Sequence, residues 1–559
     1  MHLPLKIDLS VVPDRPSGLG IEVPGDTWWE GQRETIAEIV ALFKTHRYVL
    51  AGIPTGGGKT IVATAVHRIL DGKSLFLTHT KQLQGQYLKQ AKWAEVAMGR
   101  NNYKCLNADS PFVGLYGRQL NAEECGNHNK RCIFPNRCEY PQMLKRASQN
   151  PQVVMNYAYA LRLLRAPLLK LGTIDEPPEE EDQVFEESIP NPFRRDFLVC
   201  DEGHLLENAI VEAASLSISY RSCREAKLPP MPYTEDMKLW INWASDALPT
   251  MTAYVSSSNQ RSKDALASGD TNVVRLAQMH LSARRLKEQL LQLANVDSSW
   301  IVYKGSNAVT VRPLWAWGVA EAELFQYFRR VLIMSATPGD PDLLAKRLGI
   351  TEPYGYIDRP SIFPIGNRIV FYWPVLSVNR HTSPAEWGTI ASAVQFIADQ
   401  EGLKDKKGLI HTGSFKIAAE LGARLQGRFL VHEIPAMRET LLDAFVESDQ
   451  PLALVSPSFT TGLDYKDIGW QVIVKVPFGN LGDRITKMRH GYALPDDPKF
   501  GRKVYDDDAL NTVVQAAGRA VRGPEDQGVT YVIDGSFWPL YKRGQAPEFF
   551  KEAVRWVRS

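Results

Sequence analysis

Tyr48-Val49-Leu50-Ala51 is a short apolar run that ends in Ile53-Pro54-Thr55-Gly56-Gly57-Gly58-Lys59-Thr60, after which Ile61 to Leu70 carries apolar residues at helical spacing. Strand, glycine-rich loop and helix in that order constrain the fold more than anything else in the chain. Successive glycines let backbone N–H groups turn toward phosphate oxygens with no Cβ in the way. The helix N-terminus behind them adds partial positive charge. Lys59 can reach the β- and γ-phosphates of a nucleotide, and the Thr60 hydroxyl can bind Mg²⁺. The strict form of this loop has a glycine five residues before Gly58; Ile53 stands there, with Gly52 one residue early.

The surrounding pattern agrees. Trp28 to Phe43 is amphipathic, and Ser74 to Thr78 is a second short strand followed by a helical stretch to about Val96. Alternating strands and helices predict a parallel sheet with helices on both faces. The pattern breaks from about Met98 to Gln149, a polar, cysteine-bearing stretch, and resumes at Val153–Met155 and Phe197–Cys200. Between those strands, Asp175 to Glu187 holds eight carboxylates in thirteen residues beside several prolines, which reads as an exposed loop. From about Leu205 to Ala322 the pattern is mainly helical, with Trp300 to Val311 more strand-like. Val331–Met334 is a further buried strand. A second series follows at Gly408–His411, Leu452–Val455, Gln471–Val476 and Thr530–Ile533. The expected fold is α/β, with two lobes built on parallel sheets and two insertions in the first.

With 44% apolar and 23% charged residues, the 559-residue chain has material for several cores. No apolar run approaches the roughly 18 residues that span a bilayer, and Met1 to Asp8 has no signal-peptide pattern, so a soluble cytoplasmic protein is expected. Net charge is +2, but the acidic stretch leaves the rest of the chain more basic. That suits either a nucleic-acid surface or simply solvated faces.

Two further clusters carry chemistry. Cys200-Asp201-Glu202-Gly203-His204 ends a strand, where such folds bind ligands. Asp201 can hold Mg²⁺ and Glu202 can orient and deprotonate an attacking water. Near the C-terminus, Gln515-Ala516-Ala517-Gly518-Arg519-Ala520-Val521-Arg522 puts two arginines three apart on one helix face. Aimed at a γ-phosphate, they would stabilise charge developing in the transition state.

In this order the pieces resemble the superfamily 2 helicases, within them the iron–sulfur group typified by XPD and DinG. Motif I matches Ile53 to Thr60, motif Ia Thr78 to Gln86, motif II Asp201 to His204, motif III Ser335-Ala336-Thr337, motif V Thr461-Gly462-Leu463-Asp464 and motif VI Gln515 to Arg522. The resemblance implies two RecA-like lobes and an ATP-dependent DNA helicase moving 5′ to 3′ on single strands, in a setting such as repair or replication. RNA–DNA hybrid or RNA unwinding, or translocation without unwinding, are the alternatives. It assigns Lys59, Glu202, Arg519 and Arg522 to catalysis. Nucleotide contacts fall to Gln32, Pro54, Thr55, Gly56, Gly57, Gly58, Lys59, Thr60, Asp201, Asp464 and Gln515, with Thr60 and Asp201 on magnesium. Thr80, Gln86, Asn156, Tyr157 and Thr461 become strand-side residues by position. Two departures stand out: Gly203 replaces the usual alanine of motif II, and Trp29 takes the place of an arginine three residues before Gln32. Small for small at Gly203 is expected to be tolerated.

Cys105, Cys125, Cys132 and Cys138 lie between motifs Ia and II, where the resembling group carries a 4Fe–4S cluster. Four thiolates can hold such a cluster or tetrahedral zinc. The implied organisation is first lobe at 1–97, 150–204 and 323–340, four-cysteine domain at 98–149, arch-like helical domain at 205–322 and second lobe at 341–559. Expected partners are single-stranded DNA and forked or 5′-tailed duplexes, bound by a monomer with no membrane contact.

Overall fold

The computed structural model of the protein describes residues 7–104, 138–165, 191–268, 270, 272–297, 299–459, 465, 467–521, 523 and 525–557. The first lobe starts with β1 (Tyr48–Gly52), β2 (Ser74–Thr78), β3 (Glu95–Val96), β4 (Gln152–Asn156) and β5 (Phe197–Asp201). An insertion then contributes β6 (Leu216–Ser219), β7 (Trp300–Lys304) and β8 (Ala308–Pro313), after which β9 (Arg330–Ser335) and β10 (Tyr354–Asp358) return to the first sheet. That sheet runs β10-β1-β9-β5-β2-β4-β3, with every pair parallel. β1, β2 and β5 are buried along their whole length. Helices cover both faces of the sheet, which is why these strands read as unbroken apolar runs.

The second lobe holds β11 (Val370–Leu376), β12 (Lys407–His411), β13 (Phe429–Val431), β14 (Ala453–Ser456), β15 (Ile468–Ile473), β16 (Val529–Asp534) and β17 (Val554–Trp556). Its order is β13-β14-β12-β15-β16-β11-β17, again parallel throughout. The expected two-lobed α/β architecture is therefore present.

The boundaries shift. β10 pairs with β1, so the first lobe continues to Asp358 rather than stopping at 340. Leu344, Ala345, Leu348 and Ile350, placed in the second lobe by the sequence reading, lie in the first lobe's core. The helical insertion is narrower than 205–322. Leu206, Ile210 and Val211 at its start, and Ala316, Ala320, Leu324 and Phe325 at its end, pack into that same core. What projects is a separate core around Trp240, Trp243, Leu286 and Leu290, formed by helices Met237–Ser268 and Val273–Leu293 on the antiparallel sheet β6-β8-β7. Arg261, Lys263, Arg275, Arg284 and Arg285 of these helices are exposed.

The helix Glu139–Gln149, which Cys138 caps, also seats Met143, Leu144 and Ala147 in the first lobe. Cys105, Cys125 and Cys132, the acidic stretch Asp175 to Glu187, Thr461 to Asp464, and Arg522 lie outside the described residues. Among the described residues no helix is long and apolar enough to cross a membrane.

Candidate nucleotide site

β1 delivers the chain into the loop Ile53–Gly58, and the helix Lys59–Leu70 begins directly behind it. Gly56 and Gly58 have φ of 80° and 71°, a left-handed conformation that glycine adopts without a Cβ clash. Their neighbours also exclude a side chain. A Cβ on Gly56 would lie 2.0 Å from the Phe363 ring, and one on Gly58 would lie 2.1 Å from Gln32 Nε2. Gln32 is buried; its Oε1 accepts the Trp29 backbone N–H at 2.8 Å and its Nε2 reaches Gly57 O at 3.4 Å.

Asp201 ends β5 next to this loop. Tyr87, from the helix Lys81–Gln90, donates its hydroxyl to Asp201 Oδ2 at 3.1 Å and also engages the Thr60 hydroxyl. Tyr157 donates to the Asp201 carbonyl at 2.7 Å. Tyr87 thus holds the carboxylate expected to face magnesium and Tyr157 the main chain that carries it, and the sequence marks neither for this role. Tyr157 is 3% exposed, so it props up motif II and presents no ring to a nucleic-acid strand. Asn156 accepts the Tyr159 N–H and Thr80 caps its own helix, while Gln86 is exposed.

Glu202 has φ 56° and ψ 51°, left-handed for a residue with a Cβ. Such strain persists only where surrounding structure enforces it. Here the Glu202 N–H bonds Asp201 Oδ1 at 3.0 Å, and Gly203 packs so tightly on β9 that an added Cβ would lie 2.4 Å from Ile333 Cγ2. The Gly203 position is therefore not open to any small residue.

Charge at the site is uneven. Burial, then the neighbouring Glu202, pushes the Asp201 carboxyl up to about 6. Burial works to raise Glu202 as well, but Lys59, His204, Arg519 and His79 outweigh it and hold that carboxyl below its ordinary value. Arg519, from the second lobe, is thus near enough to Glu202 for its charge to favour the carboxylate. Burial, joined by Lys59, His79 and Arg519, lowers His204 against the opposing pull of Glu202 and favours the neutral imidazole.

A chain of polar contacts leads from motif II across the cleft. His204 Nδ1 lies 3.0 Å from Ser335 Oγ, Ser335 Oγ accepts the Thr337 N–H at 3.0 Å, and Thr337 Oγ1 accepts Gln515 Nε2 at 2.9 Å. Gln515 thus contacts motif III directly. The loop's Thr55 also faces the second lobe: a Cβ on Gly518 would lie 3.8 Å from its hydroxyl.

Segments of the chain and its fold are similar to known proteins. Residues 27–228 match the family described as type III restriction enzyme, res subunit, and residues 402–549 match the helicase C-terminal domain. No curated protein matches the sequence. The fold is similar to an XPD helicase structure at 16% identity and a TM-score of 0.59, covering 95% of this chain and 99% of that one. It is also similar to S. tokodaii Xpd4 at 14% identity and a TM-score of 0.54, covering 95% and 100%. The helicase C-terminal domain and the res-subunit domain, one on each lobe, support an ATP-dependent helicase.

Proposed function

We propose that this helicase hydrolyses ATP to move 5′ to 3′ along single-stranded DNA and to separate a forked or 5′-tailed duplex, acting as a monomer. The observation that carries the reading is the split site: Lys59, Thr60, Asp201 and Glu202 come from one lobe, and the helix that leads to Arg519 in the other lobe meets motif III through the 2.9 Å bond from Gln515 to Thr337. A nucleotide touching both lobes stabilises the closed form, and loss of the γ-phosphate releases it. Lys59 binds the phosphates, Glu202 takes the proton of the attacking water, and Arg519 stabilises charge on the γ-phosphate. Arg522 and Asp464 are assigned nucleotide contacts by motif position alone. Thr60 and Asp201 would hold Mg²⁺. Their hydroxyl and carboxylate oxygens suit a hard cation, and Tyr87 brings the two together. Bound there, magnesium supplies charge neutralisation at the phosphates.

The direction and the DNA substrate rest on the motif pattern and on likeness to the XPD-type fold. The same likeness supports a 4Fe–4S cluster on Cys105, Cys125, Cys132 and Cys138. The two ends of that insertion leave the first lobe side by side, because Tyr103 and Tyr140 pack ring to ring at 5.7 Å. A segment closed at its base suits a cluster acting as a folding staple. Iron and acid-labile sulfide at four of each per chain would support it; one zinc per chain would replace it.

The deciding experiment is anaerobic strand separation on 5′-tailed against 3′-tailed duplexes with ATP and Mg²⁺, with matched RNA tails and Lys59→Ala as control. Unwinding of the 5′-tailed DNA alone supports the proposal. Unwinding of the 3′-tailed duplex overturns the direction. Preference for RNA tails overturns the substrate. Turnover retained in Lys59→Ala overturns the site.

A further inference from the structure

A connector joins the lobes, leaving the first sheet at Asp358 and entering the second at Val370. Its start is fastened to the first lobe: the Arg359 N–H donates to Gly52 O at 2.9 Å, just ahead of the phosphate loop. Its far end is fastened to the second lobe. Arg368 donates from Nε to Phe363 O at 3.0 Å, from Nη2 to Glu552 at 3.2 Å, and from Nη1 to the Phe549 carbonyl. Phe363 therefore stands between the lobes with its main chain tied to the second.

Its ring meets the first. A Cβ on Gly56 would lie 2.0 Å from Phe363 Cζ and 2.6 Å from Cε2, so the phenyl edge rests on bare backbone in the phosphate loop. Phe363 is 5% exposed, and it forms a small buried cluster of its own with Ala520 and Val521, the two residues that follow Arg519. One flat ring thus fills the space between the loop and the segment that carries the arginine. Packed protein interiors are stiff and transmit displacement, so the width of the ring sets how far apart the two stand.

We infer that Phe363 is a positioning residue for hydrolysis: a spacer carried by the second lobe that seats Arg519 at its working distance from phosphates held in the loop. This rests on the nucleotide site proposed above and goes beyond it. The apolar ring offers the phosphates no hydrogen bond and acts through Gly56 and the Arg519 segment. Arg519 stabilises charge that develops in the transition state, so displacing it lowers turnover and spares ground-state binding.

The test uses the full-length protein. ATP turnover, followed by release of labelled phosphate so that slow variants stay measurable, is compared with equilibrium binding of ADP. The variants are Phe363→Ala, Phe363→Leu, Arg519→Ala and the double variant Phe363→Ala with Arg519→Ala. Phe363→Ala is expected to lower kcat by roughly tenfold to a hundredfold, the cost of misplacing a group by about 1 Å. ADP affinity should change by less than about threefold, because the lost interaction belongs to the transition state. Phe363→Leu, which keeps part of the bulk, should lose less. The double variant should turn over as slowly as Arg519→Ala alone, since both changes remove one effect. Should Phe363→Ala melt too low to assay, the same cycle with Phe363→Leu decides. Wild-type kcat in the Phe363 variants overturns the inference. So do losses that multiply in the double variant, which would make the ring independent of Arg519, and an ADP affinity that falls as far as kcat, which would make it a mere prop for the loop. Wild-type turnover in Arg519→Ala sinks the split site itself, and the single variant shows that failure apart from anything done at Phe363.

Discussion

A single methyl group on Gly203 would have no room. Ile333 Cγ2 would lie 2.4 Å away and the Met334 carbonyl 3.2 Å away. Neither can swing aside, since both belong to the buried strand β9. Gly203→Ala is therefore expected to cost about 1–3 kcal/mol by overpacking and to displace Glu202 and His204. Melting and ATP turnover check it: both should fall, and unchanged values of each would show that β9 yields freely. Asp507 offers a second residue-scale prediction. It is buried against Gly339, accepts the Asp340 N–H at 3.0 Å, and is pushed up by burial to about 7 from an ordinary 3.8 despite Arg347 nearby. Between those two values the folded protein keeps a proton that the unfolded chain has released, so stability falls as pH rises through that window. Asp507→Asn removes the titrating group and up to about 1.4 kcal/mol per pH unit of that slope. Melting curves from pH 4 to 8 should be flatter for the variant, and an identical slope would refute the assignment. Lys59, Thr60, Asp201, Glu202 and Arg519 could be proposed from sequence because each stands in a short local motif whose side-chain chemistry points to phosphate, magnesium or water. Tyr87 and Tyr157 could not. Their partner Asp201 is 114 and 44 positions away, and a tyrosine in a helix reads locally as core.

Between elements, a buried ion network ties the two lobes together. Glu207, in the helix Leu206–Ala214 just after motif II, accepts Arg347 Nε at 2.7 Å and Arg489 Nη2 at 2.8 and 2.9 Å. Arg347 also reaches Asp508 at 2.8 Å, and Arg489 lies 4.1 Å from the centre of the Trp315 ring. Glu207 thus ties the first lobe to the helix Arg484–His490, and its partner Arg347 ties it to the helix Phe500–Ala517. Burial works to raise the Glu207 carboxyl, but Arg347 and Arg489 prevail and keep it below its ordinary value, so it is charged at neutral pH. Glu207→Gln leaves two buried guanidiniums short of an anion. The expected cost is about 3–5 kcal/mol, seen as a melting temperature on the order of 10 °C lower. Because the group is buried, the loss should persist at about 1 M salt; a difference that vanishes there would mark the network as a surface effect. No such tie was readable from sequence, since its members are scattered over 302 positions. The central strands were readable because burial on both faces makes them continuous apolar runs. β3 has two residues and β13 three, too short for any period to show, and β10 alternates buried and exposed residues at the sheet's edge.

At the scale of the whole molecule, the question is how occupancy of one small site moves two lobes. In this structure they already touch through Gln515 and Thr337, at 2.9 Å. That bond sits at the end of a polar chain that starts at His204, beside the residue expected to activate water. Gln515 also lies on the helix that leads to Arg519, so breaking its bond frees the arginine-bearing end from motif III. A nucleotide shifts the lobes only by the difference in its contacts between open and closed forms. The Gln515–Thr337 bond adds a nucleotide-independent share to the closed side, about 0.5–1.5 kcal/mol for a single hydrogen bond. Gln515→Ala should therefore open the cleft without touching the phosphate loop. The expected result is a KM for ATP raised roughly two- to tenfold and a nucleic-acid-stimulated rate lowered by a similar factor. Thr337→Val, which removes the acceptor while keeping the shape, should reproduce both changes, and the double variant should add little because the two residues share one bond. Additive losses in the double variant would mean that Gln515 acts on the nucleotide itself and that closure is driven from elsewhere in the cleft.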